Sequence, residues 1–166
     1  MAFATYEKSG RIATLTLNKP EARNAIGTQQ DCDERAGALV RAHDDPEINA
    51  VILTGAGKAF CSGGDLKAIR ERTGIGPQSP PDATRANYRR AVQKIIRALA
   101  DVEVATIAAI NGPAIGPGMD IGILCDMRVA AQSAKLASSF VKGGSSPGDG
   151  GAWILTQAVG YSRAAE

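Results

Sequence analysis

Apolar and polar residues alternate over positions 3–7 and again over 12–17, and the Ser9-Gly10 pair between the two runs predicts a β-hairpin with a glycine-assisted turn. Asn18-Lys19-Pro20 ends that pattern, because proline cannot donate to a strand ladder. Positions 28–43 carry Ala36, Leu39 and Val40 on otherwise polar ground, which predicts a surface helix. The compact apolar runs 50–53 and 105–110 each predict a buried strand feeding a small-residue loop. Between them Tyr88, Val92, Ile95, Ile96, Leu99 and Val102 form a stripe at helical spacing. That stripe predicts one helix of about 18 residues lying on a sheet face. Asp65 is placed to cap a short helix ending near Arg72. The stretch 73–82, rich in glycine and proline, predicts a mobile surface excursion. A helix is expected from Pro117 to near Cys125, short strands at 127–130 and 134–137, and a last helix over 152–159. Strands alternating with helices imply an α/β fold with a largely parallel sheet, whose ligand sites lie in loops at the strands' carboxyl ends.

Composition narrows the class without changing that picture. The 166 residues suit one domain spanning 1–166, and 44% hydrophobic with 22% charged residues is ordinary for a globular protein. The 19 basic and 17 acidic residues are interspersed, so nucleic acid is not an expected partner. Cys32, Cys61 and Cys125 form no CxxC pair and no ligand spacing with the single His43, so no metal site or disulfide framework is expected and a reducing cytoplasm fits. No apolar run reaches the roughly 18 residues a bilayer span needs, and no secretory signal opens the chain, so no membrane association is expected.

The candidate chemistry lies in two loops of one design: Ala59-Phe60-Cys61-Ser62-Gly63-Gly64-Asp65 and Gly112-Pro113-Ala114-Ile115-Gly116-Pro117-Gly118. In each, small residues after a strand let a ligand approach the main chain, and the helix that follows adds a dipole favouring negative charge. An oxyanion hole needs those features. Taken singly, either loop reads first as a tight turn with glycines at positive φ, and it is the two together that favour a site. The Gly116-x-Gly118-x-x-x-Gly122 spacing also suits a dinucleotide-binding turn, the remote alternative of an oxidoreductase. Residues 138–142, where a ribose-binding acid belongs, hold no carboxylate.

Asn18-Lys19-Pro20 with Arg23-Asn24-Ala25, then Phe60 through Lys67, then Ile110 through Gly118, then Cys125-Asp126 resemble, in order and spacing, the enoyl-CoA hydratase/isomerase (crotonase) family over essentially the whole chain. The resemblance implies a spiral of ββα units, assembly as homotrimers or hexamers, and an acyl-CoA or enoyl-CoA thioester as ligand, with coenzyme A entering as part of the substrate and no separate cofactor. It implies hydratase or isomerase chemistry through a thioester enolate. On it, Ser62 matches an oxyanion donor, Arg23, Asn24 and Ala25 match a segment along the CoA, and Ser62, Gly63, Gly64 and Asp65 line the thioester and pantetheine. The second donor position holds Pro117, which has no amide hydrogen, leaving Gly118 or Gly116 to supply it. Asp120 matches the first catalytic glutamate. The second falls at Phe140, and Asp149, in Pro147-Gly148-Asp149-Gly150-Gly151, is the carboxylate that could enter in its place. The departures at Pro117 and Phe140 favour the alternative of a non-catalytic acyl-CoA binder or assembly protein of the same fold. The family continues beyond the position matching Glu166 into a helical C-terminal region, which this core is expected to lack.

Overall fold

A computed structural model describes residues 2–76 and 80–166 of the chain. Strands β1 (Ala4–Ser9) and β2 (Ile12–Leu17) make the expected hairpin, paired from Ala4 opposite Leu17 to Ser9 opposite Ile12. Helix α1 (Gln29–Asp44) follows, and its start is set by a capping box. Thr28 Oγ1 accepts from the Asp31 amide while Asp31 Oδ2 accepts from the Thr28 amide, so two orphan donors of the first turn are satisfied. Strand β3 (Ala50–Gly55) then lies parallel to β2. Helix α2 (Leu66–Glu71) is capped by Asp65, whose Oδ1 accepts from the Lys67 and Ala68 amides.

One expected element divides in two. The stripe from Tyr88 to Val102 belongs to α3 (Pro81–Arg90) and α4 (Val92–Ala100), which meet at a fully buried Ala91 with φ −109 and ψ −102. Breaking the helix strands the Arg90 carbonyl, and the Gln29 side chain satisfies it at 2.7 Å. The surface excursion expected over 73–82 is corrected at both ends. Ile75 is buried with its amide on the Gly27 carbonyl, and α3 already starts at Pro81. Residues 77–79 of that stretch lie outside the described residues.

Strand β4 (Ala105–Ile110) runs parallel to β3, and a short β5 (Ala114–Ile115) forms inside the second glycine-rich loop. After α5 (Pro117–Leu124), β6 (Met127–Ala130) joins β4 in parallel, giving the sheet order β1-β2-β3-β4-β6. The strand expected over 134–137 shrinks to β7 (Leu136–Ala137), which pairs with β5 rather than with the main sheet. Helices α6 (Gly151–Val159) and α7 (Tyr161–Ala165) close the chain.

The core joins Ala13, Leu15 and Leu17 of β2, Val51 and Leu53 of β3, and Ala108 and Ile110 of β4 to Cys32 and Leu39 of α1 and Val92, Ile95 and Leu99 of α4. Ile52 and Ile107, one residue out of phase, are only half-buried. The apolar runs of β3 and β4 are therefore closely covered on one face, not on both. Among the described residues no helix is long and apolar enough to cross a membrane.

Candidate active site

Three separate stretches are laced together by main-chain bonds. The Phe60 and Cys61 amides both reach the Pro113 carbonyl at 3.1 Å, and Ile115 N returns to the Cys61 carbonyl at 2.9 Å. On the other side Ile26 N donates to Gly63 O and Asp65 N to Ile26 O, each at 2.8 Å. Gly118 permits the close approach, since a Cβ there would sit 2.2 Å from the Cys61 carbonyl oxygen. The two loops singled out in sequence are thus neighbours. They open on a cavity of about 730 Å³ whose wall includes Ser62, Gly63, Gly64, Gly116, Pro117 and Asp149.

The amides of that wall are not equally available. Ser62 N donates to the Arg23 carbonyl at 2.9 Å, and Gly116 N to the Ala137 carbonyl at 2.8 Å. Both amides expected as donors are therefore engaged by main-chain carbonyls in this structure. Gly64 lies on the wall, and its amide takes no main-chain partner among the described residues. Gly118, in the first turn of α5, also has an unengaged amide, but it is buried and lies behind the lining rather than on it.

Arg23, Asn24 and Ala25 do not line the cavity. Asn24 is fully buried at φ +58, its Nδ2 donating to the carbonyls of Ala56, Ala59 and Phe60 while its Oδ1 accepts from the Lys19 amide. Its side chain is therefore a tie beneath the first loop, not a ligand contact. Asp65 likewise works as a helix cap and is absent from the main cavity's wall.

Two carboxyls meet at the far end. Asp120 of α5 is fully buried, and Asp149 reaches it from the loop before α6. Burial, then the Asp149 charge and the close approach of its carboxyl push Asp120 up to about 8. Burial raises Asp149 as well, and the Gly151 amide, which donates to its Oδ1 at 3.3 Å, opposes the rise. Neither Asp120 oxygen, nor Asp149 Oδ2, has a hydrogen-bond partner of ordinary geometry among the described residues, so the two side chains interact through proximity and charge. Gly151 makes the approach possible, because a Cβ there would lie 2.3 Å from Asp120 Oδ2. Asp149 is the member on the cavity wall, with Asp120 behind it.

Phe140 is on the wall too, its ring near the Cα side of Gly116, where a Cβ would meet Cζ at 3.5 Å. Sequence reasoning did not assign Tyr88, Gln93 and Arg85 to the site, yet all three face the cavity. Tyr88 was legible only as part of an apolar stripe, and the break at Ala91 gives it this position. Burial and then the Asp149 charge raise its phenol.

Residues 7–166 match the enoyl-CoA hydratase/isomerase family. The chain is 38% identical over 149 residues to a probable enoyl-CoA hydratase of Mycobacterium tuberculosis, covering 90% of this chain and 55% of that protein. It is 35% identical over 153 residues to 1,2-epoxyphenylacetyl-CoA isomerase of Escherichia coli, covering 92% and 56%. The crystal structure of an enoyl-CoA hydratase from Polaromonas superposes with a TM-score of 0.86 at 31% identity, over 98% of this chain and 61% of that one. This chain therefore spans a little over half the length of the curated relatives it matches.

Proposed function

Because this chain belongs to the enoyl-CoA hydratase/isomerase family and has its α/β crotonase fold, we propose that its cavity takes the thioester end of an acyl-CoA or enoyl-CoA and that Asp120 and Asp149 handle the proton of enolate chemistry. The observation that carries this reading is the buried carboxyl pair at the end of a cavity walled by small-residue main chain. With one proton held between them, one member is an acid and the other a base at neutral pH. The Asp149 carboxylate removes a proton from the carbon next to the thioester, and the electron pair moves onto the carbonyl oxygen as an enolate. Returning the proton two carbons further along moves a double bond. Adding water across the double bond of an enoyl thioester is the hydratase outcome.

Gly64 is a wall amide with no main-chain partner among the described residues, available to receive the enolate oxygen, and the N-terminus of α5 supports it with a favourable field. Pro117 withholds a second donor from the wall, and loss of one such donor commonly removes about 3 to 4 kcal/mol of transition-state stabilisation. That single observation favours the second reading, an acyl-CoA binder without turnover. Assembly into homotrimers or hexamers belongs to the first reading, and exposed Met127, Val129, Trp153 and Tyr161 supply apolar surface for it.

Exchange of the α-proton of an acyl-CoA in heavy water tests the proposal. Exchange by the wild-type chain, falling about 100-fold or more in Asp149→Asn with CoA affinity retained, is the expected result. Tight CoA binding with no exchange refutes it in favour of the binder.

A further inference from the structure

We propose that Gln93 and Tyr88 are positioning residues: together they clamp Gly148 and so hold the neighbouring Asp149 against Asp120. This rests on the carboxyl pair being the proton-handling group of the site proposed above.

Gln93 Nε2 donates to the Gly148 carbonyl at 2.6 Å. Its other end is fixed, because Gln93 Oε1 accepts from Arg97 Nη2 at 3.0 Å, one turn further along α4. An amide whose oxygen faces a guanidinium must turn its NH2 the other way, toward the loop. Tyr88 supplies the second jaw. Its ring lies so close to Gly148 that a Cβ there would sit 2.7 Å from both Cδ1 and Cε1.

The helix break is what allows both contacts. Residues five apart on a continuous helix point about 140° away from each other, at roughly 100° per residue. Tyr88 ends up before the break at Ala91 and Gln93 after it, and both reach one glycine. The break is therefore part of how the site is built.

The pair needs such a restraint. Two carboxyls out of water must give up the charge of at least one member to stay close, since burial and mutual repulsion both oppose the charged forms. Asp149 sits in a stretch of glycine, serine and proline that carries no strand or helix pairing from 144 to 150. Left to itself, that stretch would swing Asp149 toward solvent. Around the pair the other ionisable groups are Tyr88 on α3 and Arg85 on the cavity wall, while the Arg97 guanidinium is turned to Gln93. Helix α6 brings no ionisable side chain, and α5 brings Asp120 alone.

Carboxyl carbon NMR of the 166-residue chain, labelled at aspartate, reads the clamp without any substrate. In wild type the pair should titrate in two steps, the upper one raised to about 8. Gln93→Leu, which keeps volume and removes the donor, and Gly148→Ala, which collides with Tyr88, should each lower the upper step by about one pH unit or more. Arg97→Ala should move it less, in the same direction. Tyr88→Leu added to Gly148→Ala makes room for the new methyl and should raise the step again. The proposal is overturned if wild type shows no raised step, if Gln93→Leu leaves it in place, or if Tyr88→Leu fails to reverse Gly148→Ala. Absence of acyl-CoA exchange with these shifts intact would count against the enzymatic reading alone.

Discussion

Gly151→Ala probes the carboxyl pair through stability rather than activity. Gly151 is the first residue of α6 and is buried, and a Cβ built on it lies 2.3 Å from Asp120 Oδ2, 2.7 Å from Cγ and 2.9 Å from Oδ1. These are contacts to the end of a carboxyl side chain that is itself fully buried, so it can turn aside only into closely packed surroundings. Overpacking of this kind costs roughly 1 to 3 kcal/mol, against which alanine returns at most about 1 kcal/mol of helix propensity. The expected net loss is about 1 to 2 kcal/mol. In an Asp120→Ala background the obstructing atoms are gone, and the same substitution should be neutral or stabilising by a few tenths of a kcal/mol. Urea unfolding of the four chains, followed by circular dichroism at one pH and with matching m-values, gives the coupling as a double-mutant cycle. A coupling of about 2 kcal/mol is expected. Additivity within about 0.5 kcal/mol would mean that Gly151 does not abut Asp120 and that the site is built differently.

Two further outcomes follow from the same residues. Asp120 holds a proton in the folded chain up to about 8, whereas the unfolded chain releases it near 3.8. The folded state binds the extra proton in that window, so stability falls as pH rises from about 4 to 8, by at most about 1.4 kcal/mol per pH unit for one proton. Urea midpoints for wild type at pH 5, 6 and 7 should decline and those for Asp120→Asn should be flatter; a wild-type midpoint that climbs over this range contradicts the pair. Asn24→Ala removes the side chain that satisfies three carbonyls, two of them in buried bonds, and one amide, and should cost roughly 3 kcal/mol or more. Thermal unfolding measures that loss, and a shift within error would show that the tie beneath the first loop is dispensable.

Periodicity carried the secondary structure well where an element is decided within its own residues. The run 12–17 alternates and is a half-covered strand, and Asp65 caps because its oxygen can reach amides two and three residues ahead. The two loops were legible as well, because small residues after a strand and before a helix leave few other conformations. The break at Ala91 was not legible, since alanine is a good helix former and the stripe runs through it without a flaw. It is imposed by packing, with Ala91 fully buried and Gln29, far away in sequence, taking the orphaned carbonyl. The same limit separates the donors. Ser62 and Gly64 are alike in sequence as small residues of one loop, but the neighbouring Arg23 carbonyl engages the first and leaves the second.

By itself, then, the order of residues determined the α/β succession of elements, the family resemblance and the identity of Asp120 and Asp149 as candidates, because those depend on local pattern and residue chemistry. Only the tertiary structure decided that the two carboxyls touch, which of them faces the cavity and which loop amides are free. Those are contacts between segments tens of residues apart, and main-chain groups carry no residue label that a sequence could show. Their availability depends on which neighbour the folded chain brings within about 3 Å, and that is settled by packing.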